Sequence, residues 1–462
     1  MNSPENIAPM PRVPAELSPR ITAPAQPATN WKQWLHNNQN LPAIIPENSS
    51  PTPWPRITLR GKTIPARPDI AQMYRENQTQ VRTELKKYDL AGVVLYDPLN
   101  IRYVTGTRNM SVWTMHNAVR YAFLPAEGPL TLFDFHNCEH LSHGLDTVQE
   151  VRHAKSWTFF EAGSLAPLVV KKWAAEIHDL LVTHGGGNKR LAFDCLDPQG
   201  AFELARLGAD IKDGQEILER CRARKSRNEL AAVRRAVEVC EAALASLQDT
   251  ITPGATENQI WAKLHEVNIA NDGEWIETRL LASGPRTNPW FQESSDRKLE
   301  AGDIISLDTD LVGPHGMCVD MSRSFVCPGK PPSDEQRDAH SLALEQIRHN
   351  TELLRPGVTA EEISEKGFQL PEAYLPNRYS AVIHGVGMAD EWPRVAYKED
   401  SADGVPEVTL EEGMTLCVES YAGKAGGGVG VKLEEQVLVG ADGPIMLTSY
   451  PYAEELVGAG WV

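Results

Sequence analysis

A chain of 462 residues, 41% hydrophobic and 23% charged, is long enough for two or three domains around a large core. Its formal net charge of -17 excludes nucleic acid and anionic membrane surfaces as partners, because both need a basic footprint. No apolar run approaches the length of a membrane span, and the amino-terminal stretch lacks the charged and apolar regions of a signal peptide, so a cytoplasmic protein is expected.

Residues 1–68 hold fourteen of the 33 prolines, mixed with Ser, Asn and Ala, and read as a largely disordered arm. Residues 69–221 alternate between helical and strand patterns. A helical run passes through TELKKYDL, followed by the strands AGVVLY, YAFL and LTLFDF, a helix from Leu165 to Thr183, the strand RLAFDC and the helix PQGAFELARLG. This is an α/β domain. A second domain, 222–462, opens at KSRNELAAVRRAVEVC, where Ser226 and Glu229 form a capping box ahead of an apolar stripe. The seven cysteines are odd in number and contain no CxxC pair, which favours reduced thiols over a disulfide framework. FHNCEHLSH reads as a solvated loop and PHG around His315 as a turn.

The chemistry concentrates in IISLDTDLVG, residues 304–313. Read as a strand, it sets Asp308 and Asp310 on one face, where two carboxylates repel unless something neutralises them. A weak duplication extends the pattern. A long helix leads into TPGATENQIW and another into RPGVTAEEIS; EAGDIISLD and EEGMTLCVE each place an acid six residues after a glycine, Asp308 after Gly302 and Glu419 after Gly413. Each has a second acid on its expected hairpin partner, Asp320 and Glu434. Facing hairpins would gather Asp308, Asp310, Asp320, Glu419 and Glu434, with His384 adding one nitrogen. Five carboxylates cannot stay ionised together without cations, and this donor set suits two divalent transition metals: iron, manganese, cobalt or zinc.

Those motifs resemble the pita-bread superfamily of creatinase, prolidase and aminopeptidase P. The fold class implied is α+β: a carboxy-terminal pita-bread domain behind a smaller creatinase-like α/β domain, the latter matched by PLNIRYVTG. The resemblance implies metal ligands at Asp308, Asp320 in VDMSRSF, His384 in IHGVG, Glu419 and Glu434, and a homodimer. Three departures matter. The usual DxG becomes DTD, which makes Asp310 an extra ligand; a proton-shuttling histidine is replaced by Phe291; a second histidine is replaced by Asp390. Metal ligands retained without either histidine suggest changed chemistry. NDGEWIETRLLASGPRTNPWFQE, DTD and HGVGMADEWP together resemble the metal-dependent dimethylsulfoniopropionate lyases of the superfamily. On that resemblance the substrate is a small sulfonium carboxylate, Asp390 is the base, Tyr379 orients or gates, and Trp290, Phe291 and Trp392 offer aromatic faces to the cation. A dinuclear hydrolase of Xaa-Pro peptides or creatine, and a non-catalytic binding protein, are the alternatives.

Overall fold

The computed structural model describes residues 45, 54 and 56–457. The reading of 1–68 as a disordered arm falls mostly outside them. Helix α1 (Ile70–Lys87), capped by Asp69, leads into a six-stranded mixed sheet of order β4-β3-β2-β1-β5-β6. Its strands are β1 (Gly92–Leu95), β2 (Tyr121–Pro125), β3 (Thr131–Asp134), β4 (Glu150–His153), β5 (Arg190–Phe193) and β6 (Asp210–Asp213). PLNIRYVT forms α2 (Pro98–Thr105). Its signals are local: Asp97 accepts from the Leu99 N–H, Pro98 opens the first turn, and Gly106 closes the last with φ of 78°. Helices α3 (Ala166–His184) and α4 (Pro198–Leu207) cover one face, where Trp157, Trp173 and Phe193 form a core, while α5 (Gln215–Ala223) leads out of the domain.

The second domain begins with α6 (Arg227–Asp249), whose capping box is formed as read from Ser226 and Glu229. It packs against α7 (Glu257–Ala270). After β7 (Trp275–Ile276) and β8 (Leu281–Ser283) comes β9 (Ile304–Asp308), then β10 (Leu311–Val312), β11 (Cys318–Val319) and β12 (Ser322–Val326). The second half repeats the plan with α8 (Asp334–Glu352) and α9 (Ala360–Lys366), followed by β13 (Ala381–Val386), β14 (Asp390–Ala396), β15 (Thr415–Gly423), β16 (Gly430–Val439) and β17 (Pro444–Met446). The duplication is physical: α6, α7, α8 and α9 all start with capping boxes, and Gly302 and Gly413, with φ of 87° and 97°, turn the chain into the two acidic strands.

The first half carries two three-stranded sheets, β8-β9-β12 and β11-β10-β7, and the second a five-stranded antiparallel sheet of order β14-β13-β15-β16-β17. Strands β9 and β12 lie against β16. Ser306 Oγ donates to the Gly430 carbonyl and Ser324 Oγ to that of Lys432, stitching the halves together. One large apolar core runs beneath both, from Leu230 and Val233 on α6 to Leu433 and Val437 on β16.

Candidate metal centre

Glu419 and Glu434 pair directly across β15 and β16, so their side chains leave the same face. His384 pairs with Cys417 on the neighbouring β13–β15 ladder, which brings the imidazole over that face. From the other half, Asp308 ends β9 opposite Ser322, and Asp320 sits in the break between β11 and β12. The expectation of one continuous strand through Asp308 and Asp310 needs correction. The strand stops at Asp308, and Asp310 takes a left-handed conformation with φ of 37° before β10 begins. Its carboxylate still reaches the cluster, because the break, not strand alternation, aims it there. Thr278 Oγ1 donates to Asp310 Oδ2 at 2.6 Å, and the Glu277 N–H donates to the Asp310 carbonyl, anchoring the bend.

All six expected ligands are nearly buried, none more than 9% exposed. Potential donor atoms form two groups that share Asp320. One is Asp308, Asp310 and Asp320; the other is Asp320, His384, Glu434 and the thiol of Cys417, each group within 4.8 Å. Glu419 joins through Oε1, 3.2 Å from His384 Nε2, and that nitrogen also lies 3.5 Å from Asp320 Oδ2 and from Glu434 Oε1. The Cys417 thiol donates to the Asp320 carbonyl at 3.7 Å.

Electrostatics test whether these residues suit a cation pair. Burial raises the carboxyls of Asp308, Asp310 and Asp320 above their ordinary range; Asp308 pushes Asp310 further up, Asp310 does the same to Asp320, and Lys432 counteracts the effect at Asp308. Asp320 Oδ1 and Glu434 Oε1 are buried without a hydrogen-bond partner, an expensive arrangement for anionic oxygens. His384 Nδ1 lies 3.0 Å from the Gly385 carbonyl, and although burial opposes its charge, hydrogen bonding to Glu419 and Glu434 raises the imidazole well above its ordinary range. Two adjacent cations would satisfy the orphaned oxygens and take the place of the Nε2 proton, so the donor set fits a dinuclear centre.

Asp390 opens β14, with Oδ1 3.6 Å from His384 Nδ1. Its side chain is 62% exposed. Partial dehydration raises its carboxyl to about 6, His384 opposing and Glu434 reinforcing. The next residue, Glu391, is buried and clamped: Oε1 accepts from Arg222 Nε at 3.0 Å and Oε2 from Lys225 Nζ at 2.8 Å. The Trp392 N–H donates to Glu219 Oε2 at 2.8 Å. The end of α5 and the segment after it therefore brace the strand that presents Asp390.

Tyr379 lies two residues before β13. Burial raises its phenol, Glu419 adding to the effect. Of the three expected aromatics, Phe291 is 65% exposed and lies 5.5 Å from the Tyr379 ring. Trp290 turns inward against Tyr421, and Arg220 covers one face of Trp392 at 4.9 Å.

Sequence reasoning missed Lys432, Ser322, Thr278 and the Glu391 clamp. Lys432 and Ser322 had a signal, each lying two residues from a ligand acid in an extended segment. Thr278 and the clamp had none, since their partners are 32 and 169 or 166 residues away.

Comparison with known proteins agrees with this architecture. Residues 231–441 match the model of metallopeptidase family M24, and 78–224 that of the creatinase/prolidase N-terminal domain. The dimethylsulfoniopropionate lyase DddP of Roseovarius nubinhibens is 41% identical over 85% of this chain and 89% of its own, and that of Roseobacter denitrificans 40% identical over the same shares. Among solved structures, the prolidase from Pyrococcus horikoshii superposes with a TM-score of 0.66 at 21% identity, over 83% of this chain and 100% of that one, which speaks for the fold. The chain belongs to the family of the dimethylsulfoniopropionate lyase DddP, within the pita-bread architecture of metallopeptidase family M24.

Proposed function

We propose that this chain is a dimethylsulfoniopropionate lyase, releasing dimethyl sulfide and acrylate by β-elimination at a dinuclear centre. The observation that carries the proposal is identity of 40–41% to two lyases of that name over most of both chains. The site chemistry supports it: the acids and His384 come together, while Phe291 and Asp390 stand where the peptidase pattern that the sequence resembles calls for histidines.

The proposed ligands are Asp308, Asp310, Asp320, His384, Glu419 and Glu434. Oxygen-rich coordination with one imidazole suits iron, and also manganese, cobalt or zinc. The bound pair would supply Lewis acidity for charge that develops on the substrate carboxylate. Asp390 is the proposed base. A carboxyl near 6 is largely ionised at neutral pH yet more basic than a solvated aspartate. It takes the proton from the carbon next to the carboxylate; that C–H pair becomes the double bond of acrylate as the C–S bond breaks, and the sulfur departs with its electron pair as dimethyl sulfide. Phe291 would offer its exposed ring face to the sulfonium, with Tyr379 packed beside it to orient it. A homodimer is also inferred, and would cover exposed apolar side chains such as Phe159 and Phe160.

Headspace gas chromatography over purified, metal-loaded protein with dimethylsulfoniopropionate tests the reading, with an Xaa-Pro dipeptide as control. Dimethyl sulfide without dipeptide cleavage is expected. Dipeptide cleavage without dimethyl sulfide would sink it in favour of the hydrolase, and neither product from a metal-loaded protein would favour a binding role.

A further inference from the structure

Lys432 lies on β16 two residues before Glu434 and shares its face of the strand. Its ammonium has no solvent exposure and grips one oxygen of each of three acids: Glu419 Oε2 at 2.5 Å, Glu434 Oε2 at 2.8 Å and Asp308 Oδ2 at 3.1 Å. It also donates to Ser322 Oγ at 2.8 Å, and that hydroxyl is 2.7 Å from Asp308 Oδ1 and 3.0 Å from Glu434 Oε2. The opposite oxygens of the two glutamates are turned the other way. Glu419 Oε1 faces His384 Nε2 at 3.2 Å, and Glu434 Oε1 has no hydrogen-bond partner. One lysine thus occupies the outer edge of carboxylates from both halves of the duplicated domain. Five carboxylates set against two divalent cations leave a single negative charge in excess, which one ammonium cancels.

We propose that Lys432 is a positioning residue of the metal centre, holding the outer oxygens of Glu419 and Glu434 so that their inner oxygens converge on the cation pair, and fixing Asp308 in place beside them together with the Ser322 bridge. The proposal rests on reading those acids as ligands. It differs in sign from a role as plain counter-charge. Removing a counter-charge makes the site more negative and tightens cation binding, whereas removing a positioning residue scatters the ligands and loosens it.

Cobalt(II) titration of chelator-stripped full-length protein, followed by visible absorption and competition with a chelator, separates the two. For Lys432→Met we expect affinity to fall roughly 10- to 100-fold, the scale on which partners of metal ligands act, with altered d–d bands. Ser322→Ala, a milder change that decides the matter if the Met variant fails to fold by circular dichroism, should weaken cobalt a few-fold. Cobalt held as tightly as in the wild type or more tightly, with unaltered bands, would overturn the role of Lys432. If the wild type itself takes up no cobalt, the ligand assignment fails first.

Discussion

At the scale of the residue, the chemistry turns on Asp390 and Asp310, the two positions where this chain adds a carboxylate to the pattern it resembles. Asp390→Asn keeps the shape and removes the basic oxygen. Metal content should hold while dimethyl sulfide release falls by about two orders of magnitude or more, the usual scale of general-base catalysis; near-normal turnover with metals unchanged would move the base elsewhere, Tyr379 next. Replacing Asp308 and Asp310 together by Ala should cost the protein at least one bound metal by elemental analysis, because those acids with Asp320 form one of the two donor groups. Both metals retained would disprove their role. The acids themselves were legible in the sequence, since repeated spacing after a glycine exposes them. How Asp310 arrives was not: a left-handed residue between two short strands leaves no periodicity to read.

At the scale of the element, the helices and strands announce themselves through caps and apolar period, and both halves of the duplication follow the spacing of Gly302 and Gly413. What the sequence conceals is how β14 is held. Glu391 lies between Arg222 and Lys225, and although burial works against its charge, those cations keep its carboxyl below the ordinary range. Lys225→Met leaves Glu391 with one of its two cations. Breaking a buried pair from one side costs about 3–5 kcal/mol, so a clear fall in melting temperature is expected in scanning calorimetry, together with lower lyase turnover as Asp390 loses its bracing. An unchanged melting temperature would show that Arg222 alone suffices.

At the scale of the whole molecule, the long helix α6 carries a second kind of strain into the core. Glu241 is 1% exposed and accepts from the Ser449 N–H and hydroxyl, and burial raises its carboxyl to about 7 against an ordinary 4.5. A raised folded-state value means that this group favours folding below about 4.5, and that its contribution is lost as pH rises through about 7. Glu241→Gln should therefore be more stable than the wild type at pH 8 by roughly 2 kcal/mol, a gap that closes toward pH 4.5, measured by urea unfolding at each pH. A gap independent of pH would refute this. The order of the five-stranded sheet has a consequence of another kind. Strand β14 is its margin and pairs only with β13, whereas His384, Glu419 and Glu434 stand on the three strands inside it. A substitution at position 390 leaves every inner ladder intact, and Phe291 lies on a loop outside the sheets altogether. Descendants of one metal-binding ancestor could thus diverge from hydrolysis to elimination one residue at a time, each intermediate still folding and still holding its metals.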